Sequence, residues 1–263
     1  MNWYYYKIFL PLVGLWILTG LGVALGYVVL SWKVILISWF LIGPVGSGVG
    51  YHRLFSHRQF ETWRLVELVL AALGTLAAYA PLLFWVSNHQ FHHKNSDQAV
   101  DYSSPKQYGF WESFLWARMR EKSLKNIDIK NYCSRKILID PKLRWLSRHF
   151  ISIIWGTIIC LSVISLNLLV NVFLIPVLIE HVRVNLISSL SHMKIPLNYR
   201  NHKTSDDSYN NYLLGYLTMG FAWHNNHHYD ERKLILQEKW WEIDIEGLIG
   251  KILSHKQNRA DVE

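Results

Sequence analysis

Thirteen histidines occur in this 263-residue chain, and eight of them fall into three tight groups. His52 and His57 form the first, His89, His92 and His93 the second, and His224, His227 and His228 the third. A ninth, His192, follows an apolar run. Imidazole is a good ligand for iron, zinc, copper or nickel. Positions i, i+3 and i+4 share one face of a helix, so each three-histidine group can aim its rings at one point. His52 and His57 lie about 140° apart on an ideal helix, so they share a site only if the helix ends near them. Nine imidazoles are too many for one ion and imply two. No cysteine joins the groups, which removes the usual structural zinc patterns. No Glu-x-x-His pair is present, which removes the carboxylate-bridged di-iron pattern of soluble bundles. His-Glu-x-x-His is absent too, which disfavours a zinc protease. His149, His202 and His255 are read as solvated or hydrogen-bonded. His181, beside Glu180 and Arg183, is left open.

The elements that must position these groups read as membrane helices. Hydrophobic residues make up 51% of the chain and charged residues 17%, both displaced from a soluble protein in the direction of a membrane protein. Thirteen Trp and fourteen Tyr suit a bilayer interface. Residues 8–30 and 34–50 are apolar runs joined by a short turn, and about 20 residues suffice to span a bilayer. Residues 150–190 are long enough for two more crossings, 150–166 and 168–190, with a turn near Asn167. Residues 65–86 form another apolar run, broken by Glu67 and Pro81. If all the histidines serve one site, this run cannot cross the membrane an odd number of times, so a re-entrant or interfacial helix is expected. The segment 94–149 is rich in Lys and Arg and is assigned to the cytoplasm by the positive-inside rule. The expected fold is therefore an all-α integral membrane protein with four transmembrane helices, the interfacial helix, and a cytoplasmic helical cap from residues 87–149 and 191–263. The cap holds every histidine group in a single domain, 1–263. The net charge of +8 comes with no nucleic-acid-binding motif and is read as membrane-proximal charge. Two cysteines, Cys133 and Cys160, form neither a disulfide framework nor a metal-ligand spacing. Lys7 is followed by an apolar run too long for a cleavable signal core.

Three motifs together carry a family resemblance. Residues 50–57, Gly-Tyr-His-Arg-Leu-Phe-Ser-His, resemble the first histidine box of the integral-membrane fatty-acyl desaturases, nearest to their acyl-CoA branch. Residues 89–93 match the second box, and Asp97 and Asp101 match two acidic positions after it. Residues 207–211 and 223–228 match the stretch leading into the third. The resemblance runs from about residue 45 to 230. It implies two irons held by His52, His57, His89, His92, His93, His192, His224, His227 and His228, with Ser188, Asp97, Asp101 and Asn225 supporting them. The chain departs from the family in three places. Ser188-Ser189 stands where an Asn-Ser pair usually precedes the lone histidine, and that Asn helps one iron through a water. Gly220-Phe221-Ala222 replaces Gly-Glu-Gly, and Tyr102-Ser103 replaces Pro-His. Groups around the ligands orient them and tune the metal, so the departures bear on substrate and outcome more than on the metal.

The implied chemistry is dioxygen activation and removal of hydrogen from two adjacent methylenes of an acyl thioester. No side chain can attack such bonds unaided. No haem, flavin or iron–sulfur motif is present, so an external donor, a cytochrome or ferredoxin with its reductase, is expected. The basic 94–149 loop could dock an acidic donor or carrier phosphates, or simply satisfy the positive-inside rule. A hydroxylase or other di-iron oxygenase on the same scaffold is the alternative. A metal transporter is disfavoured, because the first two runs contain no ionisable residue. The substrate contacts are expected from Gly43, Gly46, Gly50, Trp85 and Trp223. The three glycines leave a bare strip along one helix face below His52, which could wall an acyl tunnel or pack against another helix. A bacterial inner membrane is expected rather than endoplasmic reticulum, with the active site on the cytoplasmic side.

Overall fold

The computed structural model describes residues 5–116 and 128–257. Its first helix, α1 (Tyr6–Ala24), carries no charged side chain after Lys7. Ile8 and Leu12 are buried, while Ile17, Leu18 and Leu21 are largely exposed, as a helix facing hydrocarbon requires. A turn at Gly26, whose φ is +77°, reverses the chain, with the Tyr27 and Val28 amides donating to the Gly22 carbonyl.

The return helix α2 (Trp32–Ser56) runs six residues beyond the expected end at residue 50. From Leu41 to Ser56 it is wound as a π-helix with Pro44 inside it. In π geometry each amide bonds to the carbonyl five residues back, so residue i+5 stacks over residue i. The His57 amide donates to the His52 carbonyl at 3.1 Å. The five-residue spacing is thus reconciled by winding, where an ideal α-helix would splay the two rings.

The expected single helix over 65–86 is two helices. α3 (Arg64–Leu76) lies antiparallel along α2, and α4 (Leu82–Asn95) returns towards the histidines. The break at 77–81 contains Ala78 at φ +54° and Pro81, which cannot donate a backbone hydrogen bond. At thirteen and fourteen residues neither helix reaches the length of a bilayer crossing. The pair is antiparallel, so the end of α4 lies back near the end of α2 that carries His52.

Short helices at Pro105–Tyr108, Glu112–Trp116, Ile129–Tyr132 and Arg135–Ile139 lead to α5 (Pro141–Arg148), whose first turn is capped by the Asp140 carboxylate. The chain bends by 64° into the apolar α6 (Phe150–Ile164). It breaks at Ser165 rather than at Asn167, and α7 (Leu166–Leu190) begins immediately. Asn167 serves inside this corner: its side-chain oxygen accepts from the Val29 amide at 2.8 Å, and that of Asn171 accepts from Ser31 at 2.6 Å. The two reverse turns are thereby tied together at the end far from the histidines. Among the described residues α1, α2 and α7 are long and apolar enough to cross a membrane, and α6 reaches that standard only when joined to the bent α5.

The chain is mostly helical as expected, with two short antiparallel pairings of two residues each added to it. β2 (Asn198–Tyr199) pairs antiparallel with β3 (Asn210–Asn211), and β1 (Phe60–Glu61) pairs with β4 (Lys256–Gln257). Between them lie α8 (Tyr212–Leu217), α9 (His224–Tyr229) and α10 (Ile245–Leu253). This cap is fastened to the long helices by a buried charge cluster. Arg53 of α2 donates to Asp244 at 2.8 Å, and Arg183 of α7 donates to Glu180 at 2.8 and 2.9 Å and to Glu246 at 2.6 Å. All five side chains are buried. Two cations face three carboxylates, and burial raises the Glu246 carboxyl to about 7, with the repulsion of Asp244 acting in the same direction.

Candidate metal centre

Four elements deliver the nine histidines to one place. The end of α2 presents His52 and His57, α4 presents His89, His92 and His93, the turn after α7 presents His192, and α9 presents His224, His227 and His228. They separate into two groups. His52, His57, His89, His93 and His227 bring one ring nitrogen each within 4.8 Å of one another, and so do His92, His192, His224 and His228. In the first group the Nε2–Nε2 separations are 3.0 Å for His52–His227, 2.7 Å for His57–His89, 3.1 Å for His93–His89 and 3.0 Å for His227–His93. In the second, His192 and His224 stand 2.9 Å apart. The groups are neighbours, since the His93 and His228 rings stack at 4.3 Å.

Those separations have a simple reading. Adjacent ligands at right angles around one ion, each bonded at roughly 2.1 Å, are about 3 Å apart. Inward-facing lone pairs at that spacing repel unless a cation lies between them. Burial and mutual repulsion hold His89, His93, His224 and His227 well below the usual imidazole range, so they are neutral and available for ligation. Burial likewise takes His228 down to about 4. The Nε2 atom of His228 is buried and has no hydrogen-bond partner among the described residues, so its lone pair is aimed into the second group. The donor set, nine imidazoles with no thiolate, fits two borderline transition-metal ions.

A carboxylate stands behind each of three rings in the second group. His92 Nδ1 lies 3.0 Å from Asp101, His192 Nδ1 2.9 Å from Asp97, and His228 Nδ1 2.5 Å from Asp206. Such bonds fix which nitrogen faces the metal. Although burial opposes it, hydrogen bonds from His192, Ser104 and the Asp207 amide hold Asp97 well below the ordinary carboxylate range. His228, Thr204 and Ser208 do the same for Asp206. Glu231 approaches two rings of the first group, His57 at 3.4 Å and His93 at 3.7 Å. Asp206 and Glu231 are absent from the residues expected from sequence. Asp206 stands one position before the motif at 207–211, and Glu231 three positions after the third box. Nearness to a motif was their only signal.

The other expected residues divide. Ser188 lines a cavity beside His92 and His224, but its hydroxyl donates to the Val184 carbonyl of its own helix and to no imidazole. Asn225 accepts from the Asn201 and His202 amides and donates to the His202 carbonyl, so it locks the 201–208 loop onto α9 and touches no ligand nitrogen. Trp85 stacks on His89 with centroids 5.0 Å apart and lines the cavity. Trp223 does not: its indole N–H donates to the Ile243 carbonyl and its buried ring fills the space left by Gly215. The glycine strip is a packing surface. A Cβ on Gly46 would stand 2.5–2.8 Å from atoms of Leu73 and Gly74, and one on Gly50 3.0–3.3 Å from Leu70. A Cβ on Gly43 would strike Glu180. Protein fills all three positions, which favours helix packing over a tunnel wall as the reading of this strip. The cavity that reaches the metal centre lies instead between α4 and α7, with His89, His92 and His224 at one end and Tyr79, His181 and Asn185 further along.

The family model for fatty acid desaturase matches residues 30–232. The chain is 31% identical over 234 residues to the sn-1 stearoyl-lipid 9-desaturase of Anabaena variabilis, covering 85% of this chain and 81% of that one. It is 31% identical over 221 residues to the Delta-9 acyl-lipid desaturase 1 of Arabidopsis thaliana, covering 81% and 69%. It is 27% identical over 245 residues to the acyl-CoA 5-desaturase AL21 of Anemone leveillei, covering 89% and 73%. The chain belongs to the fatty acid desaturase family, and is an oxidoreductase acting on fatty acyl chains.

Proposed function

We propose that this protein desaturates a fatty acyl chain with dioxygen at two irons held by the nine histidines. The observation that carries this reading is the division of the rings into adjacent groups of five and four with nitrogens about 3 Å apart. His52, His57, His89, His93 and His227 hold one iron, and His92, His192, His224 and His228 hold the other. Iron bound there would supply the oxidising power that no side chain has, and the reaction would need two electrons from a separate donor such as a cytochrome or ferredoxin. Asp97, Asp101 and Asp206 hold the Nδ1 protons of their histidines, so that each Nε2 faces inward. Trp85 and Phe221 line the cavity beside the rings and keep water from the reacting carbons.

In the membrane, α1, α2, α7 and the shorter α6 serve as four spans, α3 and α4 re-enter from the cytoplasmic side, and the histidines face the cytoplasm. A bacterial inner membrane suits this arrangement. The relatives named above differ in carrier, lipid in two and CoA in one, and an acyl thioester, CoA or acyl carrier protein, is the reading offered here. The test is expression in a host lacking desaturases, with iron analysis of the purified protein. Near two equivalents of iron and new alkenes in the host's lipids are expected. Stoichiometric zinc without oxidase activity would sink the reading, and an alcohol product would transfer it to a hydroxylase on the same scaffold.

A further inference from the structure

The C-terminal cap exposes apolar side chains where a water-facing surface would carry polar ones. In α8, Leu214 and Gly215 are buried while Tyr212, Leu213, Tyr216 and Leu217 are exposed. In α10, Glu246, Gly247 and Gly250 are buried while Ile245, Leu248 and Ile252 are exposed. A surface helix in water turns its charged face outward, and α10 does the reverse. The height of the two helices in the molecule follows from their partners. The Thr218 carbonyl, just past α8, and the Glu246 carboxylate, in the first turn of α10, both accept from Arg183 of α7, at 3.2 and 2.6 Å. The Glu246 amide donates to the Met219 carbonyl at 3.1 Å, and a Cβ on Gly48 of α2 would strike the Glu246 carboxylate. α8 comes down to this point from Asn211, whose strand partner Asn198 donates to the Leu190 carbonyl at the end of α7. α10 climbs back to β4, which pairs with β1.

From Leu166, where α7 begins, to Arg183 is roughly 25 Å at 1.5 Å per residue. The hydrocarbon of a bilayer is about 30 Å thick, and a tilted helix needs more residues still to cross it. Val182, next to Arg183, is exposed on the outside of α7, so lipid around that helix reaches this height. Resting on the bilayer placement proposed above, we infer that α8 and the first turns of α10 are sunk into the leaflet on the histidine side, so that the partner of this surface is lipid. Leu213, Leu217, Ile245 and Leu248 enter the acyl region. Tyr212 and Trp240, the latter 84% exposed, lie at headgroup level, where amphipathic rings are favoured. Lys251, exposed on the last turn of α10, supplies a cation at the height of the phosphates. Interfacial helices bind in this manner, with the apolar face about 5–10 Å into the boundary between headgroups and acyl chains. The cap is thus seated in the membrane and does not stand clear of it.

The test reads depth. Leu217→Cys and Leu248→Cys, each on a Cys133→Ser, Cys160→Ser background, carry a nitroxide in full-length protein reconstituted into phosphatidylethanolamine–phosphatidylglycerol vesicles. Collision with oxygen, which concentrates in hydrocarbon, is compared with collision with a water-soluble nickel chelate. Leu41→Cys, at an exposed position within α2, is the lipid reference, and Lys203→Cys, at an exposed position in the 201–208 loop, is the water reference. The oxygen-to-nickel ratio at positions 217 and 248 should exceed that at 203 several-fold. Leu213→Cys takes the place of Leu217→Cys if that variant does not fold. Ratios equal to that at 203 would overturn the inference. Low collision with both reagents, with spin–spin broadening that vanishes on dilution with unlabelled protein, would assign the face to a second copy of this chain and overturn it equally. An aqueous ratio at position 41 would defeat the bilayer placement itself. A lipid ratio at 41 with aqueous ratios at 217 and 248 leaves that placement standing and defeats this inference alone.

Discussion

Asp206 and Asp207 are neighbours in sequence with different duties, and the difference can be measured. The Asp206 carboxylate sits on His228 Nδ1, while the Asp207 side chain pairs with the exposed ammonium of Lys106 at 2.7 Å. Asp206→Asn should lower iron affinity about 10–100-fold, the usual effect of removing a carboxylate behind a ligating imidazole. Asp207→Asn should leave iron content unchanged, since an exposed pair contributes little. Titration of purified protein with ferrous iron decides the point, and equal iron retention in both variants would remove Asp206 from the centre. At this scale the sequence was informative where chemistry repeats at fixed spacing. All nine rings were legible because only a ligand role explains so many imidazoles. Asp206 was not, because an acidic residue in a loop has many uses, and what distinguishes this one is a contact with a histidine 22 positions away.

The helices were legible as apolar runs, but their ends and partners were not. Ser165 and residues 77–81 break the chain where tertiary contacts permit it, and hydropathy alone does not mark those points. The helix does end beside His57, at Ser56, as the five-residue interval required, but the π-winding of its last sixteen residues was not legible in the sequence. The glycines at 46 and 50 admitted two explanations in sequence, and only the neighbour in space separates them. Gly46→Leu forces a side chain into the backbone of α3. Overpacking of this kind costs about 1–3 kcal/mol or more, so a marked loss of folded protein is expected. The surviving fraction should keep the parent's product profile by gas chromatography of host lipids. A shortened chain-length preference in well-folded protein would show that the strip contacts substrate after all.

Across the whole molecule, one site built from α2, α4, α7 and the C-terminal cap requires the histidine ends to share a side. Cysteines introduced at Gln107 and Asn201 should react with an impermeant maleimide from the cytoplasmic side, and one at Gly26 only from the other. Opposite labelling of Gln107 and Asn201 would end the single-centre arrangement. The buried charge cluster gives a second global readout. Burial keeps the proton on Glu246 up to about 7 in the folded protein, against about 4.5 for an ordinary glutamate. A folded value above the unfolded one gives stability that is complete below about 4.5 and disappears as pH rises through about 7. Melting temperature in detergent should therefore fall as pH rises across that window, and Glu246→Gln should flatten the change. An unchanged slope in the variant would mean that another group is responsible. The same cluster also sets a clock on biosynthesis. Asp244, the partner of Arg53, is made 191 residues after it. At about 5–20 residues per second the ribosome needs roughly 10–40 s to supply that carboxylate. Until then Arg53 lacks the Asp244 carboxylate that pairs with it in the finished protein, while Arg183 already has Glu180 on its own helix. Chains truncated at residue 240, which lack that carboxylate, should be cleared in pulse–chase labelling much faster than chains truncated at residue 257, and equal clearance would mean that the pair does not protect the chain.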